Sequence, residues 1–232
     1  MKIYNAIEAT NSCIRIFAFR NKYDILANRV AEWIFSLIKN GNLGEYIYDN
    51  IHVDISNSEK ETHLNFNNFK IGAECRGNDI QIDIFLKSDF SKSDYQSFNY
   101  VLYEVIRHEL EHQDRFILGK NPDDEYVKTY DQLMNDSGLK LEEHSELIAK
   151  YILSDSEIDS YVKSIMYVAK KQKRSAIEII EQVLNRAFFN NNEKLMTDGT
   201  KNDRIVSLVE KTRNVLRNKL VEYYPKFKEK WI

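Results

Sequence analysis

His108, Glu109 and His112 stand in the pentapeptide His108-Glu109-Leu110-Glu111-His112, an HExxH pattern. Two histidines four residues apart project from one face of an α-helix, a turn apart. That spacing lets two imidazoles bind one Zn²⁺ at about 2.0–2.1 Å each. The glutamate beside them stands where it can take a proton from a water activated by the metal. The chemistry such a set performs is metal-assisted hydrolysis. The chain has only 5 histidines, so the pattern is rare by chance. The plain alternative is a solvated helical face with two incidental histidines, and the context weighs against it. Val101, Val105, His108 and His112 follow at steps of four, three and four, so the histidines continue an apolar stripe. Leu102, Ile106, Leu110 and Ile117 broaden that surface. Imidazoles in line with a core face need partners, and a metal supplies them.

A catalytic zinc usually takes three protein ligands and keeps a position open for water. The third must come from downstream. A glycine three residues after the second histidine and a histidine three further on would supply it locally, but Arg115 and Leu118 occupy those positions. The remaining candidates are Glu142, Glu143, Glu146 and Glu157, with His144, Asp155 and Asp159 as other ligand types. Glu157 is preferred. It lies in the first turn of an apolar helix, 45 residues after His112, enough chain for a hairpin return. Acids in a first turn also suit the helix dipole, which is the ordinary explanation of Glu157, Asp155 and Asp159 alike.

The elements that must position these residues read as follows. Residues 3–19 could hold a short strand. Residues 23–39 form an amphipathic helix with Ile25, Leu26, Val30, Trp33, Ile34, Leu37 and Ile38 on its apolar side and Gly41 as a stop. Residues 46–56 are β-rich, and 62–69 and 70–75 are weaker strand candidates. Ile80, Ile82, Ile84 and Leu86 alternate with Gln81, Asp83 and Phe85, the clearest strand in the chain. The motif helix spans about 94–118. Helices follow over about 124–135, 139–153, 155–173, 175–189 and 203–221, with an Asn-rich loop at 190–202. Ser154 or Asp155 can cap the fourth of these helices, counting the motif helix as the first.

Composition bounds the rest. The 232 residues suit one compact domain with room for a terminal extension. A formal net charge of −3 gives no global attraction to nucleic acid or anionic membrane. The carboxyl-terminal stretch from Lys201 holds nine basic and four acidic residues with Tyr223, Tyr224, Phe227 and Trp231. Basic and aromatic content together can bind nucleic acid, but a solvated helix with a packed aromatic tail is the preferred reading. Cys13 and Cys75 form no CxxC pair and fit a reducing compartment. No apolar run is long enough to span a bilayer, and the amino terminus lacks a secretory core, so the expected location is cytoplasmic. His52 and His63 fall in the β-rich half and read as local hydrogen-bonding or solvent-facing side chains.

The motif helix followed by the SEIDSY helix resembles the zincin superfamily of metallopeptidases and, within it, the gluzincins. It is also similar to small phage and prophage metallopeptidase-like proteins. The resemblance covers roughly residues 78–170. It implies an α+β, zincin-like fold, in which a small mixed or antiparallel sheet lies over the HExxH helix and a helical carboxyl-terminal half follows. Residues 1–189 would form the metallopeptidase domain, with 1–90 as its sheet part and 91–189 as its helical part, and 190–232 would be a helical extension. The strand Ile80 to Leu86 would be the substrate-binding edge, by its position before the helix.

The resemblance also assigns roles. One Zn²⁺ per chain would be held by His108, His112 and Glu157. Glu109 would be the general base, and the substrate a protein or peptide. Tyr161, Asp159 and Tyr151 are candidate transition-state donors or supports, with Tyr167 a further donor and Asp114 a further support. Several gluzincins carry an aspartate four residues after the glutamate ligand; here that position is Tyr161. The alternative is a zincin-fold binding protein, such as a regulator encoded by a phage or mobile element and acting in the host cytoplasm, with little or no turnover. Retention of Glu109 favours the enzyme, because a purely structural metal site needs no base.

Overall fold

The computed structural model describes residues 22–57, 68–120, 124–135, 139–188 and 203–225. It is α+β: a small mixed sheet of four strands and a mostly helical remainder. The elements are α1 (22–39), β1 (Gly44–Tyr48), β2 (Ile51–Asn57), β3 (Phe69–Arg76), β4 (Asp79–Leu86), α2 (Tyr95–Ile117), α3 (Asp124–Asn135), α4 (Leu141–Ile152), α5 (Asp155–Gln172), α6 (Ala176–Phe188) and α7 (Asp203–Tyr223). The strand expected over 3–19 and the residues Cys13 and His63 lie outside the described residues. No helix among the described residues is long and apolar enough to cross a membrane.

The sheet order is β1-β2-β4-β3, with β2 parallel to β4 and the outer pairs antiparallel. Alternation in the strands sets which face is covered. Cross-strand rows Ile55–Ile84–Ile71, Val53–Ile82–Ala73 and Ile51–Ile80–Cys75 all turn to one side. On β2 and β4 these side chains are essentially inaccessible to water.

Two sequence expectations are corrected here. The β-rich run 46–56 is two strands, because Asp49 adopts φ 53° and turns the chain at Asp49-Asn50. Asp and Asn tolerate that left-handed backbone better than most residues. The strand Ile80 to Leu86 is not an edge; it is paired on both sides. Gly77 (φ 66°) permits a tight hairpin that lays β3 beside it, so β3 takes the outer position. Lys70, Glu74 and Arg76 give β3 the charged content that suits an edge.

Helices α1 and α2 lie under the covered face. Tyr23 donates to Asp114 and Arg107 pairs with Asp24, while Phe35 meets Tyr95 and Phe98 at the other end, so the two helices run antiparallel. Trp33 of α1 packs against Tyr46 and Tyr48 of β1, and α2 lies beneath β3. The second layer of α2 contacts is with α5. Ser154 caps α5, accepting a hydrogen bond from the Glu157 amide, as the sequence suggested. Helix α7 packs on α4, α5 and α6 through Ile205, Val209, Leu216 and Leu220, all buried. Two of its five basic side chains pair with the helices it packs on, Arg204 with Glu146 and Arg213 with Glu181.

The sheet's two faces should differ sharply in mutational cost. Ile82→Ala, at a fully buried position, should lose about 2–5 kcal/mol of unfolding free energy. Ile47→Ala, at a position 66% exposed, should change it by no more than about 0.5 kcal/mol. Urea titration of both variants checks this; equal losses would contradict the stated facing of the sheet.

Candidate metal centre

The site is assembled where two helices cross. Helix α2 brings His108, Glu109 and His112 to a buried surface, and α5 returns antiparallel enough in space to place Glu157 against them. His108 Nε2 is 3.0 Å from His112 Nε2 and 3.0 Å from Glu157 Oε2. His112 Nε2 is 3.1 Å from Glu157 Oε1. The three side chains are the group among the described residues able to hold a metal ion. Glu157 is wholly inaccessible to water.

These residues fit a divalent cation. Tetrahedral ligands at about 2.0–2.1 Å from zinc stand about 3.3–3.4 Å apart, so the observed triangle needs only a slight expansion. The donor chemistry points the same way. Each neutral imidazole carries one proton, and here two Nε2 atoms face each other and a carboxylate. Oε1 of Glu157, although 3.1 Å from His112 Nε2, receives no well-directed hydrogen bond and is a buried oxygen left unsatisfied. Distance without direction is weak bonding between two polar groups, but lone pairs converging on one point are what a cation requires.

Four buried carboxylates line α2 and α5, and their partners distinguish them. Glu104 pairs with Arg186, Glu111 with Arg107 and Lys163, and Glu157 with the two histidines. Glu109 has no ion pair among the described residues, and the imidazoles of His108 and His112 act on it through charge alone. It accepts a hydrogen bond from the backbone amide of Cys75 on β3. Burial raises its pKa and outweighs the lowering by His108 and His112. Glu111 shows the opposite balance: Lys163 and Arg107 overcome burial and hold it low.

The other residues named from sequence fall in distinct places. Tyr161, one turn beyond Glu157, sets its ring edgewise on His108, with centroids 4.6 Å apart. Burial and then the Glu157 charge hold its phenol protonated. Asp159 turns away from both histidines to Arg115 and Tyr223, and Asp114 is taken by Tyr23; neither supports an imidazole as anticipated, because nearer donors claim them. Tyr151 packs its ring on Tyr130 of α3, and Tyr167 reaches the Asp24 carbonyl. Glu143 accepts from the Lys140 amide at the start of α4, and Glu146 pairs with Arg204. His144 is half-buried on α4, and neither it, Glu142 nor Asp155 belongs to the trio.

Several site residues were not anticipated. Glu104 and Arg107 stand at helical spacing from His108 and Glu111, a signal the sequence does contain. Lys163, Arg186 and Asp24 are remote in sequence and carry no such signal. Tyr130 feels the charges of Glu74, Glu109 and Glu157, which, after burial, hold its phenol protonated as well. Comparison with protein families, curated proteins and solved structures finds no match to this chain.

The metal-free trio should titrate in a recognisable way. Burial lowers the His108 pKa, but the Glu157 charge and hydrogen bond prevail and push it up to about 9. A histidine raised above its ordinary 6.5 stabilises the fold fully below that value and stops doing so as pH rises through about 9. Glu157 is held well below its ordinary 4.5, so its contribution is complete above that value and fades in acid. A metal must displace the His108 proton, so its binding strengthens over the interval in which the metal-free pair weakens. The gap in melting temperature between zinc-supplemented and chelator-treated protein should therefore widen from about pH 6 to about pH 8. A gap that stays constant or narrows would remove His108 from the ligand set.

Proposed function

We propose that this protein is a zinc-dependent peptidase with a zincin-like, gluzincin-type site, acting on a protein or peptide substrate. The observation that carries the reading is the pairing of a His108–His112–Glu157 trio with a buried, non-ligating Glu109 beside it. A structural metal site has no use for such a base.

His108, His112 and Glu157 would hold one Zn²⁺ per chain. When bound, that ion would lower the pKa of a water towards about 7 and polarise a carbonyl. Glu109 accepts the proton of the attacking water and delivers it to the leaving amine, and its raised pKa suits a group that must do both. The Cys75 amide fixes the carboxylate in place from the sheet side. Tyr161 offers a protonated phenol beside His108 to the developing oxyanion, and Tyr130 lies within reach of the same charges. Among the described residues β3 is paired on one side only, and its other side is an edge along which an extended peptide would add as a further strand. This role passes to β3 from the Ile80 to Leu86 strand, which is internal.

Metal analysis and a peptide-library cleavage assay test the proposal together. Wild type should carry about one zinc per chain. His108→Ala and Glu157→Ala should each lose it. Glu109→Gln should keep the metal and lose about 10²–10⁴-fold in hydrolysis. Zinc bound by wild type without cleavage of any peptide would turn the reading to a binding protein on the same scaffold. Absence of zinc from wild type, even after zinc is added back, would overturn both.

A further inference from the structure

The three candidate ligands come from two helices, so their spacing depends on whatever fixes α2 against α5. Two ionic ties do this. Glu111, next to His112, pairs with Lys163 in the interior. Arg115, three residues beyond His112, supplies the second, at the helix ends. Its Nη1 donates to the carbonyl oxygen of Asp155 at 2.9 Å and to Asp159 Oδ2 at 3.2 Å. Asp155 and Asp159 stand two residues before and two after Glu157. One guanidinium thus holds the turn of α5 that presents Glu157 and prevents it from rotating or sliding along α2. The other oxygen of Asp159 accepts a hydrogen bond from the Tyr223 hydroxyl at the end of α7. Of the two ties, this is the one that reaches the carboxyl-terminal helix.

We propose that Arg115, Asp159 and Tyr223 form a clamp through which the carboxyl-terminal helix sets the metal affinity of the His108–His112–Glu157 site. These are positioning residues; none reaches the ligand atoms. The inference rests on the metal site proposed above. Its physical basis is that a ligand triangle about 3 Å on edge tolerates displacements of only a few tenths of an ångström, and that groups orienting metal ligands are worth about 10–100-fold in affinity. Tyr223 joins the clamp by its hydrogen bond to Asp159, one step further from Glu157 than Arg115, so its effect should be the smaller.

Zinc affinity measured by competition with a chromophoric chelator tests the clamp without any substrate. The proteins are wild type, Arg115→Gln, Tyr223→Phe and, as a control, Arg213→Gln, which breaks the α6–α7 ion pair with Glu181 away from the site. Arg115→Gln should weaken zinc binding about tenfold or more and Tyr223→Phe about threefold, with Arg213→Gln unchanged. Melting of the chelator-treated proteins separates loss of fold from loss of affinity. Equal weakening in Arg213→Gln would make the effect general helix loosening and overturn the clamp. Unchanged affinity in Arg115→Gln would overturn it while leaving the metal site standing. Weakening in Arg115→Gln alone would overturn the part assigned to the carboxyl-terminal helix. Wild type that binds no zinc would remove the metal site itself, and the clamp with it.

Discussion

A carboxylate with no access to water, pressed against two imidazoles from another helix, is the constraint around which this molecule is arranged. A buried charge is costly unless it is paired and hydrogen-bonded. Glu157 meets that demand only if α5 returns to α2 at the level of His108 and His112. The ionic ties along the same interface, Glu111 with Lys163 and Arg115 with Asp159, hold the two helices in that relation. The carboxylate and the rings are therefore a candidate ligand set and a packing constraint at once.

Helix α2 divides its labour by face. Positions 108, 112 and 115 look to α5, and positions 109 and 113 look to the sheet. Gln113 donates to the Asn78 carbonyl in the β3–β4 turn, and Phe116 packs beside Gly77 in the same turn. A side chain added at Gly77 would meet that ring at 3.4 Å in addition to the strain of its positive φ. The turn, strand β3 and Glu109 are consequently fixed to one rigid element, which also carries His108 and His112, while Glu157 reaches them from α5.

The electrostatics follow from that partition. Carboxylates near the site are neutralised one by one, by Arg186, by Arg107 and Lys163, and by the histidines. Glu109 is left with a backbone amide. A carboxyl treated this way is poised to exchange a proton, and the others are not. Burial holds several tyrosines protonated, and it is the edgewise contact with His108 that sets Tyr161 apart from them.

The HExxH spacing, the alternation of Ile80 to Leu86 and the helical periods of the second half were all legible in the chain, because each is a local pattern of period two or near 3.6. Glu157 could be preferred but not distinguished from Asp155, Asp159 or His144, since every acid in a first helical turn has an equally good local reason to be there. Pairing partners of strands are not local either: the sequence showed that Ile80 to Leu86 is a strand, but its central place depended on where β2 and β3 come to rest. The turn at Asp49-Asn50 was passed over because its flanks read as one β-rich run. By itself, then, the sequence determined which helix carries the two imidazoles and Glu109. Only the tertiary structure decided which carboxylate faces them, which strands lie at the edges and which charges neutralise the rest, because those outcomes depend on desolvation and contact between residues far apart in the chain, such as His108 with Glu157, 49 positions apart, and Tyr167 with Asp24, 143 apart.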